Sequence, residues 1–230
     1  MRPRHFLAML AVTLTVLSAT PAHAQAPAGE WVSYRDAYRT MVRFEKYGGP
    51  KNLLASTLQV VPRERGALGE GAQLTLTGKT VQLNLPLDAL GRTVFPLQKA
   101  AYDENAALAL NRRGVAFTVR PQVALAARAD GRYDTAELRA GCAQALNYAR
   151  WQRGGQNGGQ GAGQCTGVRF VFARKSDAGV RLRRADGAEQ ALPAVDEAGD
   201  TGVVYRFGAA AERAQVVTMN APLAILPLIE

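Results

Sequence analysis

The chain has 230 residues, with 28 lysines and arginines against 19 aspartates and glutamates and a formal net charge of +9. Its two histidines, His5 and His23, both fall in a segment that reads as a removable leader, and its two cysteines are Cys142 and Cys165. A working protein without histidine has no Ser-His or Cys-His dyad and no His-ligated metal site.

The leader has the three parts of a secretory signal. Arg2, Arg4 and His5 form a basic start, and Phe6 to Leu17 is an apolar run broken only by threonines. Ala22-His23-Ala24 is a small-x-small cleavage site that places the mature start at Gln25. The apolar run falls short of the ~20 residues that span a bilayer, and no cysteine stands at the cleavage site to take a lipid. The expectation is a periplasmic or secreted protein that does not span a membrane after cleavage. Without residues 1–24 the chain keeps 206 residues, with 26 basic and 19 acidic side chains, a net +7. Arginine far outnumbers lysine and alanine is abundant, a bias associated with bacterial exported chains.

After the leader, Ser33 is placed to cap a helix, with Asp36 three residues on. Tyr34, Ala37, Tyr38, Met41 and Val42 recur at helical spacing, and Gly48-Gly49-Pro50 ends the pattern. Such an aromatic stripe is expected to pack on a sheet. From about Ser56 the period becomes two. Leu74 and Leu76 alternate with polar residues, as do Val81, Leu83 and Leu85, with Gly78-Lys79 between them as a two-residue hairpin turn. Val115, Phe117 and Val119 alternate again until Pro121, which predicts an edge or bulge.

A second helix is predicted over Asp134 to Trp151, with an acidic start at Asp134 and Glu137 and with Leu138, Cys142, Ala145, Leu146 and Ala149 on one face. Cys142 then points at the core. A glycine tract, 154–163, has no Gly-Lys-Ser/Thr ending and reads as a connector, not a phosphate loop. Strands resume at Val168 to Phe172 and at Val180 and Leu182, followed by a turn at Asp186-Gly187.

An even cysteine count in an oxidising compartment predicts a Cys142–Cys165 disulfide. The pair is not C-x-x-C, so a staple is expected and not a redox couple. Leu85-Pro86, Asp88, Gly91, Glu104 and Asn111 are echoed by Leu192-Pro193, Asp196, Gly199, Glu212 and Asn220. The expected fold is therefore mainly β with two helices: two similar antiparallel β-sandwich-like units joined by a helix and a Gly-rich loop. The expected segments are a signal peptide at 1–24, an N-terminal helical segment at 25–55, a first β unit at 56–130, a connecting helix and loop at 131–165, and a second β unit at 166–230.

The Asp-x-x-Gly turn that precedes an apolar strand, at Asp88 to Gly91 and at Asp196 to Gly199, resembles carboxypeptidase-regulatory-like (transthyretin-like) and other immunoglobulin-like β-sandwich modules. Antibody-type hallmarks are absent, since the cysteines flank a helix and loop with one tryptophan, Trp151, in that helix. As a whole the chain resembles exported bacterial proteins built on domains of unknown function.

Three chemistries remain open on residue type. The Asp196, Glu197 and Asp200 cluster carries oxygen ligands, but its spacing is not an EF-hand loop and a plain turn is expected. Asp103-Glu104 and Asp196-Glu197 are the carboxylates of a histidine-free glycan hydrolase, although neighbours on a strand face opposite ways. Arg181, Arg183 and Arg184, which follow Arg169, Arg174 and Lys175, form a basic strand face suited to an anionic envelope component or a protein partner. Nucleic acid is disfavoured by the compartment and by the lack of interleaved aromatics. No catalytic residue, cofactor or metal is expected. The function expected is a non-catalytic envelope binding or structural module. The alternatives are the carboxylate-dependent glycan hydrolase, and an inhibitor or accessory subunit that docks a partner by a β-edge.

Overall fold

A computed structural model of the chain describes residues 30–64, 66, 68–154, 163–174, 176–196, 199–208 and 213–230. The leader with its cleavage site, the glycine tract from 155 to 162, Lys175, Glu197 and Glu212 lie outside the described residues. The protein is mainly β and antiparallel, as its alternating segments predict.

The first half runs β1 (Trp31–Ser33), α1 (Tyr34–Lys46), β2 (Leu54–Pro62), β3 (Gln73–Thr77), β4 (Gln82–Pro86), β5 (Arg92–Thr93), α2 (Lys99–Asp103), β6 (Ala107–Leu110) and β7 (Phe117–Leu125). The second runs β8 (Arg132–Asp134), α3 (Thr135–Gln152), β9 (Cys165–Ala173), β10 (Val180–Arg184), β11 (Glu189–Ala191), β12 (Ala194–Asp196), β13 (Asp200–Arg206), β14 (Ala214–Thr218) and β15 (Ala224–Ile229). The short helix α2 has no amphipathic period to announce it.

The two halves share one connectivity. One four-stranded sheet has the order β1-β6-β3-β4 and the other β8-β14-β10-β11, the same order element for element. The remaining strands form one seven-stranded sheet, β12-β13-β9-β15-β7-β2-β5. Its two sides meet at a single pairing, Ile225 opposite Leu125. Helix α3 follows β8 and precedes β9 as α1 follows β1 and precedes β2, so each half contains its own helix.

The echoed residues have matching roles. Asn111 donates its side-chain amide to the Gly71 carbonyl and Asn220 to the Asp177 carbonyl, at 3.0 and 2.7 Å. Those carbonyls lie three residues ahead of Leu74 and Val180, which the sheet pairings place in equivalent positions. Asp88 and Asp196 each stand just before the turn into the next strand. The Asp88 carboxylate accepts from the backbone of Leu90 and Arg92 within its turn, both at 2.9 Å. Asp196, the last residue of β12, accepts from the Thr201 hydroxyl.

The helix α1 begins where the capping signal puts it, with the Ser33 hydroxyl accepting from the Asp36 N–H at 3.3 Å. It buries Tyr34, Ala37, Met41 and Phe44. Tyr34 is fully buried and stacks on Phe95 with ring centroids 4.9 Å apart. Its hydroxyl accepts from the Gln98 N–H at 2.8 Å and donates to the Pro96 carbonyl, so the polar tip of a core aromatic is satisfied.

Each half has its own apolar core. Tyr34, Leu58, Leu74, Leu76 and Leu108 centre the first, and Cys142, Val168, Phe170, Val203, Val216 and Ile225 the second. A third, aromatic cluster joins them. Phe44, Tyr47 and Leu54 of the first half meet Ala145 and Tyr148 of α3. The Tyr148 ring stands edge-on to Phe44 and Tyr47, at 5.4 and 5.3 Å between centroids.

Pro121 sits within the continuous strand β7, opposite Leu58 of β2. Since β7 pairs with β15 only at Leu125 among the described residues, the other side of Pro121 has no ladder partner among them. An inner strand thus tolerates a residue without an N–H because most of its length is an edge.

Gly91 is held at φ +72°, and a Cβ there would stand 2.9 Å from the Val60 carbonyl oxygen. Gly91→Ala is expected to cost about 1–3 kcal/mol, measured by urea unfolding, through both the positive φ and the contact. A loss below about 0.5 kcal/mol would show that the turn relaxes freely.

Candidate functional site: an arginine-lined groove

The three arginines singled out by sequence as a binding face, Arg181, Arg183 and Arg184, all lie on β10. Arg181 and Arg183 share the outer face of the strand, as period two demands, with Leu182 buried between them. Glu189 of β11, directly opposite Arg183, holds both, at 2.7 Å to Arg183 and 3.3 Å to Arg181. The bond from Arg183, then the one from Arg181, keeps the Glu189 carboxyl below its ordinary pKa. Arg184 donates to the Gln190 side chain at 3.0 Å. Arg169 lies in the other sheet, where it pairs with Asp200 at 2.7 Å, so the run of basic residues in sequence divides between two places in space.

At the end of β10 the sheet opens into a groove of about 610 Å³. Arg183, Arg184 and Ala185 form one wall, Arg213, Ala214 and Gln215 a second, and Asp134 to Glu137 at the start of α3 the third. Two of its three arginines, Arg183 and Arg184, were legible as consecutive residues of one basic strand. Arg213 was not, because only the pairing of β14 with β10 brings it there; Ala214 stands opposite Arg184. The two acids are engaged. Asp134 accepts from the Gln215 side chain at 2.9 Å, and Glu137 pairs with Arg128 at 3.3 Å. Ala136 and Ala185, both exposed, and the buried Ala214 complete the lining.

Of the carboxylates considered for catalysis, Glu197 lies outside the described residues, and Asp103, Glu104 and Asp196 each bond a different partner. Asp103 pairs with Lys99 along α2. Asp196 bonds Thr201 at the far side of the second half. Glu104 instead pins a turn. Its carboxylate accepts from the backbone N–H groups of Lys79, at 2.6 Å, and Thr80, at 3.1 Å, and from the Thr80 hydroxyl. Hydrogen bonds from the Thr80 hydroxyl and backbone, then from Lys79, hold its pKa below the ordinary 4.5. Among the described residues, no three of His, Cys, Asp and Glu gather as a metal site. No helix among them is long and apolar enough to cross a membrane.

This explains Gly78 differently from the sequence reading. The hairpin closes with the Gly78 N–H on the Val81 carbonyl at 2.7 Å, so the loop residues are Lys79 and Thr80. Gly78 is needed for space: a Cβ there would stand 2.4 Å from the Glu104 carboxylate.

A lowered carboxylate pKa ties this turn to pH. In the unfolded chain Glu104 takes its proton near its ordinary 4.5, in the folded chain only at lower pH. Its contribution to stability is therefore complete above that range and lost as the pH falls through the folded value. The stability gap between Glu104→Gln and the parent, read from urea midpoints, should be largest at neutral pH and shrink below about pH 4.5. A gap that is constant or grows in acid would contradict this role.

Comparison with protein-family models, curated proteins and solved structures finds no match for this chain.

Proposed function

We propose that the chain is an exported, non-catalytic binding module of the bacterial envelope, periplasmic or secreted, that docks a protein partner in the groove lined by Arg183, Arg184 and Arg213. The observation that carries this reading is the groove itself, where the end of β10 and the start of β14 bring Arg183, Arg184 and Arg213 into the lining of one concave site. Guanidinium groups recognise carboxylates in a planar, directional way.

The charge pattern favours a protein over a membrane surface. Asp134 and Glu137 stand in the same rim and would repel a uniformly anionic bilayer, whereas a folded partner can match mixed signs. A general acid must carry a proton to give, and Glu104 is held ionised on its turn, which argues against the glycan-hydrolase alternative. For the β-edge alternative, β11 and β12 are three-residue edge strands with fully exposed patterns that offer little ladder to a partner, and the edge stretch of β7 is interrupted by Pro121, which has no N–H to give. Kinship with carboxypeptidase-regulatory-like and immunoglobulin-like modules belongs to the same proposal.

Two measurements test it. Protein recovered from the exported fraction should have the intact mass of a chain that starts at Gln25; retention of Met1 to Ala24 would remove the envelope setting. On immobilised poly-glutamate, affinity should fall with salt, because exposed charges are screened over ~8–10 Å at physiological ionic strength. Arg183→Ala with Arg213→Ala should weaken binding at least tenfold. Arg206→Ala, an exposed ion-pair residue outside the groove, should not. Equal loss in both variants would mean diffuse attraction and no site.

A further inference from the structure

The internal repeat gives one sheet face two opposite characters. In the first half, Leu74, Leu76 and Leu108 turn inward and are fully buried, so the residues that alternate with them face out. One outer row crosses the sheet as Trp31, Ala109, Thr75 and Asn84, and the next as Ser33, Ala107, Thr77 and Gln82. The same two rows in the second half are Arg132, Val217, Arg181 and Ala191, then Asp134, Gln215, Arg183 and Glu189. Five of these eight second-half residues are charged, and none of the eight in the first half is.

The fold does not require the difference. Both sheets have the same strand order and bury their other face, and the second keeps that architecture with five charges outside. A chain with 20% charged residues and a net charge of +9 thus keeps one sheet face neutral. That face carries two kinds of group instead. Trp31, at one edge, is 42% exposed and is the one large apolar side chain of the two rows. Thr77, Gln82 and Asn84, toward the other edge, present exposed hydroxyl and amide groups. Between them Ala107 and Ala109 are too small to stand above the sheet.

We infer that this outer face of β1, β6, β3 and β4 is a docking platform for a neutral glycan chain. A charged ligand would find no counter-charge in the two rows. A protein partner would find one large anchor, where interface cores use several aromatic and arginine side chains. A sugar ring matches both kinds of group. Its C–H face stacks on an indole, and the hydroxyls on its rim donate and accept, as threonine hydroxyls and asparagine and glutamine amides do. The strip of Ala107 and Ala109 lets a chain lie flat from Trp31 to Asn84. The outer two of the four strands stand about 14 Å apart at the ordinary strand spacing, so an oligosaccharide and not a single sugar fills the face. The platform is separate from the arginine groove, and neither reading depends on the other.

The probes are chitotetraose and cellotetraose, neutral oligosaccharides with and without acetamido groups, each titrated into the uniformly ¹⁵N-labelled full chain. With at least one of them, saturable shifts are expected at the Trp31 indole N–H and at the Thr75, Thr77 and Ala109 amides. The affinity should not change between low and physiological salt, because no ion pair forms. Trp31→Ala should weaken binding at least tenfold, and Trp31→Phe, which keeps a ring, less. Thr75→Arg puts the second half's residue on the face and should also weaken binding at least tenfold. Arg206→Ala, an exposed ion-pair residue of the other half, should leave it unchanged. The rest of the amide spectrum checks the folding of each variant. No saturable shift on the face with either oligosaccharide would overturn the platform, as would binding that Trp31→Ala and Thr75→Arg both leave intact. Face shifts that grow with protein concentration in the absence of sugar would assign the surface to contacts between copies of the chain instead.

Discussion

Replacing Cys165 with alanine is expected to lower unfolding stability by about 3 kcal/mol. The disulfide ties Cys142, buried in the middle of α3, to Cys165 at the start of β9, across a sequence separation of 23. In the chain-entropy view, a loop of this length frees the unfolded chain by about that much when the bond is lost. The Cys142 side chain also packs in the second core, so Cys142→Ala adds a cavity to the lost link and should cost more than Cys165→Ala. Urea unfolding under oxidising conditions reads both. A difference from the parent below about 0.5 kcal/mol for Cys165→Ala would show that the link does not constrain the unfolded state.

The second large effect is expected at Arg92. This arginine is 7% exposed, yet it carries a full charge. Asp88 receives two of its donors, at 3.0 and 2.7 Å, and the Leu223 carbonyl, just ahead of β15, accepts from the same guanidinium. The residue therefore connects the first half to the second. Truncation to alanine leaves the Asp88 carboxylate without its cation and the Leu223 carbonyl without that donor. Removing one partner from a buried pair costs about 3–5 kcal/mol, discounted here to about 2–4 because Asp88 is 30% exposed. Arg92→Lys keeps charge but not the fork, and should recover only part of the loss. Full stability in Arg92→Ala would mean that the aromatic cluster of Phe44, Tyr47 and Tyr148 and the Ile225–Leu125 pairing hold the seam without it.

Periodic segments were readable in the sequence; contacts between distant segments were not. The Ser33 cap, the strands at Leu74–Leu76 and Leu83–Leu85, and the inward turn of Cys142 follow from spacing, because each is set by neighbours within a turn or a hairpin. The echoed Leu-Pro, Asp and Asn residues already marked the repeat. Spacing does not mark α2, which is five residues long, nor the junction at Ile225 and Leu125. Gly78 looked like a turn glycine because its real neighbour, Glu104, is 26 positions away. Arg183 and Arg184 were visible as a basic strand. Arg213, separated from them by almost thirty positions, becomes their neighbour only through the pairing of β14 with β10.

The single pairing between β7 and β15 has a consequence for how the chain acquires its shape. Every other ladder among the described residues closes within residues 31–125 or within 132–229. Loop-closure entropy is therefore met twice over spans of about a hundred residues and not once over the whole chain. The N-terminal half, synthesised first, already contains all the strands that its own two sheet portions need. Only the docking of the seam, through Ile225, Arg92 and the Tyr148 ring, has to wait for the second half.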